Sequence, residues 1–168
     1  VLVDVEELPT HGGSLRFWLA PRPAGREPSA AVAVVRAMEQ AAGLESLAVW
    51  ADFQRRAEAA KNGLLRFLLA EQEAGRRVYG YGAAAKGNTL LNYAGVRADL
   101  LEAVADRAAS KQGKFLPGSH IPVISPEQLA ERDPQTLLVL PWNLIEEVAQ
   151  QWPGRRLVTA IPELQVRS

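Results

Sequence analysis

The sequence predicts an α/β fold: a mostly parallel sheet with flanking helices, preceded by a β-hairpin and two helices. Three observations carry this. From Arg77 onward, short apolar strand-like runs alternate with helical segments, which requires crossover connections. Between 46 and 74, apolar residues recur every three or four positions, the period of an amphipathic helix. Before them, residues 1–20 alternate apolar and polar on either side of a glycine pair.

Taken in order, Leu2, Val3 and Val5 belong to a first strand, Pro9 to Gly13 to a turn, and Leu15, Phe17 and Leu19 to a second strand. The stretch "PRPAGREP" at 21–28 reads as a linker. Ser29 is placed to cap a helix that runs to about Ala42 and stops at Gly43. A longer helix spans about Ser46 to Ala74, with Gly75 as its stop. Its stripe is Trp50, Phe53, Ala57, Ala60, Leu64, Phe67 and Leu68, which predicts packing rather than a cofactor site.

Beyond it, "RRVYGYG" reads as a strand, "NTLLNYAGV" as a short helix ending near Gly95, and "LLEAVADR" as a second strand. "HIPVIS" is a strand, "PEQLAER" a helix with Pro126 near its first position, and "TLLVLPW" a buried strand. "NLIEEVAQQW" is a helix and "RRLVTAIPEL" a last strand.

Composition narrows the function classes. Lys+Arg and Asp+Glu are 19 each. A zero net charge argues against general nucleic-acid or anionic-membrane binding, though a local basic pocket is compatible with it. With no cysteine, the chain forms no disulfide, thiolate zinc site or cysteine nucleophile, and His11 and His120 are too few for a histidine-rich metal site. No metal site is expected within the chain. A signal peptide or membrane-spanning run is absent, which fits a cytoplasmic setting. The chain opens at Val1 in mid-strand pattern without Met, and reads as a fragment of a longer polypeptide.

In a parallel α/β sheet, ligands bind outside the carboxyl ends of the strands. That directs attention to 80–89, 106–120 and 141–143. Gly80-Tyr81-Gly82-Ala83-Ala84-Ala85 fits G-x-G-x-x-[GA]. In that motif the first glycine makes the turn, the second admits a phosphate, and the third small residue lets helix pack on strand. Helix-start amides at Gly82 and Ala83, with Lys86, Asn88 and Thr89, would then face an anion. Asp106 ends the next strand, where a ribose-binding carboxylate belongs.

In "KQGKFLPGSH", Lys111 and Lys114 suit a diphosphate, and Phe115 or Tyr81 is available to stack on a base. From spacing alone, a solvated loop is an equal reading. His120 is a candidate acid or base, but beside Pro and Gly it reads first as a loop-fixing residue. Trp142 would wall a pocket or simply pack. Asn143 has the spacing of a helix cap with Glu146. His11 and Arg16 are candidate rim contacts, against an ordinary hairpin turn requiring Gly12 and Gly13. No catalytic triad, carboxylate pair or metal-ligand spacing is evident, so no residue is assigned as catalytic.

Several blocks together, "THGGSLR", "GYGAAAKGNTLLNY", "D…KQGKFLPGSHIPV" and "LPWN…EE", resemble in that order the C-terminal region of bacterial sugar C-methyltransferases. The resemblance covers nearly the whole chain. It implies that residues 1–20 complete the sheet of an upstream methyltransferase domain, on which the chain would pack. Residues 21–76 would be a linker and two helices, and 77–168 a Rossmann-like domain that binds a nucleotide-sugar.

The implied substrate is a 4-keto-6-deoxyhexose on a nucleoside diphosphate, with thymidine the expected nucleoside. The implied reaction removes the C3 proton and lets the enolate attack the methyl group of S-adenosylmethionine. The resemblance places the base in an upstream Glu-His motif and puts the S-adenosylmethionine site and zinc cysteines upstream too. On that reading this chain is catalytically incomplete and anchors the substrate. Two other readings stay open at this point. One is a stand-alone dinucleotide-binding oxidoreductase domain carried by Gly80, Gly82, Ala85 and Asp106. The other is a non-catalytic interaction domain with the long helix as its contact surface.

Overall fold

The computed structural model describes residues 1–167; Ser168, the last residue of the expected C-terminal domain, lies outside the described residues. Two compact units are present, one over Val1–Arg55 and one from Arg56 onward.

In the first unit, β1 (Leu2–Leu8) and β2 (Ser14–Leu19) form an antiparallel hairpin. Its turn is a 3-10 turn over Thr10–Gly12 with His11 at φ 57°, followed by Gly13 at φ 116°. The glycine pair thus serves the turn as its spacing predicts. Helix α1 (Ala30–Ala41) follows. Ser29 does occupy its N-cap position but makes no side-chain cap; its hydroxyl instead donates to Asp4 Oδ1 at 2.5 Å. The Ser29 amide donates to the Val3 carbonyl, tying helix to hairpin. Val5 and Val32 are the buried pair of this unit.

Helix α2 (Leu47–Glu73) begins in the first unit and ends in the second. The predicted apolar stripe is buried only in part. Ala60, Leu64, Phe67 and Leu68 are buried, whereas Trp50 and Phe53 are 54% and 60% exposed. Gly75 at φ 70° ends the helix through a bond from the Arg76 amide back to the Glu71 carbonyl. The buried Glu71 carboxylate accepts from both Arg76 and Arg156 at 2.9 Å. The bonds from Arg76 pull its pKa down, outweighing the upward push of burial, with Arg156 assisting.

The second unit holds six strands: β3 (Val78–Tyr81), β4 (Val104–Ala105), β5 (Val123–Ile124), β6 (Thr136–Val139), β7 (Arg156–Thr159) and β8 (Gln165–Arg167). Their order is β5-β4-β3-β6-β7-β8, parallel except for the antiparallel β7–β8 pair. Counted within the sheet, this is the 3-2-1-4-5-6 order of dinucleotide-binding folds. Helices α3 (Ala85–Ala94), α4 (Pro126–Glu131) and α5 (Ile145–Gln151) lie in the connections.

The period-2 alternation of the strands separates two apolar layers. Val78, Val104, Leu138 and Val158 pack with Leu64, Phe67 and Leu68 of α2 and Leu91 of α3. Tyr79, Tyr81, Ala105, Leu137, Val139 and Leu157 pack on the other face with Leu129 of α4 and Val148 of α5. Sheet and helices thus form three layers. Three local expectations need correction. "LLEAVADR" pairs over two residues only, because a turn occupies 98–100. The final strand ends at Thr159, and β8 returns antiparallel after a cis Ile161–Pro162 bond. Helix α3 starts at Ala85, three residues before the predicted Asn88.

Candidate functional site

The carboxyl ends of β3 and β4 meet the start of α3, as the strand order requires of a ligand site. The motif glycines there do other work than their spacing suggests. Gly80 is not at the turn: it lies within β3, and a Cβ on it would come 2.7 Å from Val104 Cγ2. Gly82, at φ +84°, does turn the chain, but Pro141 packs on it, with Cδ 2.6 Å from where a Cβ would stand. Ala85 is exposed, and the close helix–strand approach falls on Gly87, whose Cβ would meet Leu140 Cβ at 2.6 Å.

The loop amides are largely committed. Gly82 donates to the Ala105 carbonyl at 2.7 Å, Ala84 to the Gly82 carbonyl at 2.8 Å, and Ala83 to Asp106 Oδ2 at 2.7 Å. Beyond the loop, no side chain caps α3, and its first-turn amides at 85–87 have no acceptor within the helix.

Asp106 is buried, and both of its carboxylate oxygens accept hydrogen bonds from the protein. Oδ2 takes the Ala83 amide and the Lys111 ammonium at 2.9 Å, and Oδ1 takes the Ala108 amide at 2.8 Å. Burial alone would raise its pKa, but the Ala108 amide, the Lys111 ammonium and the Ala83 amide together hold it below the usual carboxylate range. Lys111 also donates to the Ala83 carbonyl at 2.9 Å. Gln112, which the sequence reading did not single out, secures the Asp106 carbonyl.

A cleft of about 530 Å³ opens beside this corner, lined by Ala83–Ala85, Asn88, Ser110, Lys111, Lys114, Phe115, Leu116 and Pro117. That volume is in the range of small-molecule sites, roughly 300–1,000 Å³. The 110–117 wall is held by backbone bonds from Gly113 to Val123 and Leu116 to Ile121, both 2.9 Å, and by Asn92 Nδ2 donating to the Pro117 carbonyl. Lys114 Nζ donates to the Ser110 carbonyl at 2.6 Å. Phe115 is 63% exposed, so its ring is open to a stacking partner.

The other candidates lie elsewhere. Lys86 sits 4.2 Å over the Trp142 ring and donates to Asn143 Oδ1. Together with Thr89, Leu90 and Tyr93, Lys86 and Trp142 line a second, apolar cleft of about 360 Å³. Asn143 is therefore no helix cap: a 3-10 turn at Trp142–Leu144 intervenes, and Leu144 precedes α5. Tyr81 is buried, its ring edge-on to Trp152 at 6.0 Å and its hydroxyl on Gln151 at 2.6 Å; burial raises its pKa.

His120 is exposed at φ 56°, and its amide donates to the Leu116 carbonyl, the geometry of a loop-fixing residue. His11 and Arg16 belong to the first unit, where Arg16 pairs with Glu6 at 3.0 Å. Among the described residues, no group of three His, Cys, Asp or Glu could hold a metal, and no helix is long and apolar enough to cross a membrane.

Ser110, Leu116 and Pro117 were not anticipated as cleft residues. Their only signal was membership of the loop that carries the two lysines.

The chain is 36% identical over 175 residues to the C-methyltransferase NovU of Streptomyces niveus. That alignment covers 99% of this chain and 41% of the relative, so the chain spans about two-fifths of the relative's length. The family described as the C-methyltransferase C-terminal domain matches residues 9–162, and the chain belongs to that family.

Proposed function

We propose that this chain is the substrate-anchoring part of an S-adenosylmethionine-dependent C-methyltransferase acting on a nucleoside-diphosphate-linked 4-keto-6-deoxyhexose. The carrying observation is the cleft beside α3, with Lys111, Lys114 and Asn88 on its walls and uncapped helix amides at its edge. Two ammonium groups and a helix N-terminus suit a diphosphate. The same charges disfavour a sulfonium, so S-adenosylmethionine is assigned to a region outside this chain.

In the proposed reaction, a base takes the proton at C3, made acidic by the neighbouring C4 ketone. C3 then bonds to the methyl carbon as the S–CH3 bond breaks, and the electron pair returns to sulfur, leaving S-adenosylhomocysteine. The chain's own part is to hold the diphosphate and so position the reacting sugar. Phe115 stacks on the base of the nucleotide, thymine being the first candidate. Lys86, Thr89, Trp142 and Asn143 form the adjoining flank toward the sugar. The hairpin edge, with Phe17, Trp18 and Leu19 at least half exposed, completes the sheet of the upstream methyltransferase domain.

A dinucleotide oxidoreductase reading has less support. Pro141 packs on Gly82, the cavity left there is only about 220 Å³, and both carboxylate oxygens of Asp106 already accept hydrogen bonds from the protein. The test is Lys114→Ala in the full-length protein. KM for the nucleotide-sugar should rise about tenfold, the loss of one charge-assisted bond, with KM for S-adenosylmethionine unchanged. Equal loss of both would refute the assignment.

A further inference from the structure

The carboxylate of Asp106 stands where, in this strand order, a ribose diol would be read. Its partners take three of its roughly four acceptor positions. Oδ2 is shared by the Ala83 amide and the Lys111 ammonium, and Oδ1 is taken by the Ala108 amide. Lys111 completes a closed corner, since it also binds the carbonyl of Ala83. Both polar groups of one peptide residue are thus held by the two halves of one ion pair. An ammonium has three donors, and two are spent here. The Lys111 side chain is 45% exposed and lines the cleft, while that of Asp106 is 11% exposed.

We infer that Asp106 is a positioning residue for anion recognition: it fixes the Lys111 ammonium and the Ala83 peptide as one charged corner of the cleft, and does not contact the ligand's ribose. The inference rests on the nucleotide reading above and adds a specificity to it. Recognition through phosphate, with the carboxylate buried and turned to protein donors, makes the site indifferent to a 2′-hydroxyl. A preset ammonium loses little freedom on meeting a phosphate, and that advantage depends on Asp106. Because Asp106 acts through Lys111, losing both should cost no more than losing Lys111 alone.

The test is calorimetric titration of the full-length protein with uridine diphosphate and 2′-deoxyuridine diphosphate. The wild type, Asp106→Asn, Lys111→Gln and the double variant are compared. The wild type is expected to bind both ligands with Kd values within about twofold, and each single variant to lose about tenfold for both. The double variant is expected to match Lys111→Gln within about twofold. Multiplying losses, near a hundredfold in the double variant, would overturn the positioning role. So would an Asp106→Asn loss confined to the ribonucleotide, which would make Asp106 a ribose reader. If Asp106→Asn does not fold, Asp106→Glu, which keeps the charge and moves it by one methylene, decides by the same comparison: equal losses for the two ligands support the role and unequal losses overturn it. Wild-type protein that binds neither ligand refutes the nucleotide reading itself, a failure seen in the first arm alone.

Discussion

Pro141 packs directly on the backbone of Gly82: its Cδ would be 2.6 Å from a Cβ there, at a residue already held at φ +84°. This contact joins the carboxyl ends of β3 and β6, the point where the strand order reverses. It narrows the crevice that a dinucleotide would enter to a cavity of about 220 Å³ beside Asp106, against about 530 Å³ for the cleft on the β4 side.

Gly82→Ala should therefore be costly on two counts. Gly154 has a similar φ of +74° with nothing within 4 Å of its Cβ position, and isolates the backbone term. Gly154→Ala should lose about 1 kcal/mol, and Gly82→Ala about 2–4 kcal/mol, the difference being the clash with Pro141. Urea unfolding of the two full-length variants at pH 7 makes the comparison. Equal losses would show that Pro141 moves aside freely.

Asp106 gives the fold a pH dependence of definite sign. Its folded pKa lies below the usual carboxylate value, so its charge stabilises the native state above the unfolded pKa of about 3.9. That contribution is lost as pH falls through the depressed folded value. Asp106→Asn should be less stable than wild type at neutral pH, and the gap should narrow as Asp106 protonates. Thermal unfolding at pH 7 and at successively lower pH measures this, and a gap that widens on acidification would contradict it.

Lys86 separates the two flanks of α3. Its ammonium is held by the Trp142 ring and Asn143 and does not line the larger cleft. Lys86→Met should lower stability by about 1 kcal/mol through the lost cation–π contact and hydrogen bond. Nucleoside diphosphate affinity should change less than about threefold, against about tenfold for Lys114→Ala. An equal effect from both would return Lys86 to the phosphate site.

The sheet, its helices and the hairpin are legible in the sequence because periods of 2 and 3.6 record burial directly. Val78 to Tyr81 and Thr136 to Val139 are fully buried runs; both read as strands, and the second as a buried one. What escaped were features set by tertiary partners. Asn143 has cap spacing, but Lys86 claims its carbonyl and a 3-10 turn displaces the helix start. One purely local feature also escaped: the real capping box, Ser125 with Gln128, went unrecognised although the adjacent Pro126 was placed correctly. The G-x-G-x-x-A pattern identified the right turn for the wrong reasons, since Val104, Pro141 and Leu140 determine where small residues are needed. Trp50 and Phe53 continue a helical stripe by spacing, but periodicity does not say how far along the helix a partner extends.

The most direct measurement is titration of the full-length protein with thymidine diphosphate, thymidine and NADH. Saturable binding of thymidine diphosphate is expected, with at least about tenfold weaker binding of thymidine and further loss of the diphosphate when Lys111 and Lys114 are both replaced. Equal binding of thymidine and its diphosphate, or a preference for NADH, would contradict it.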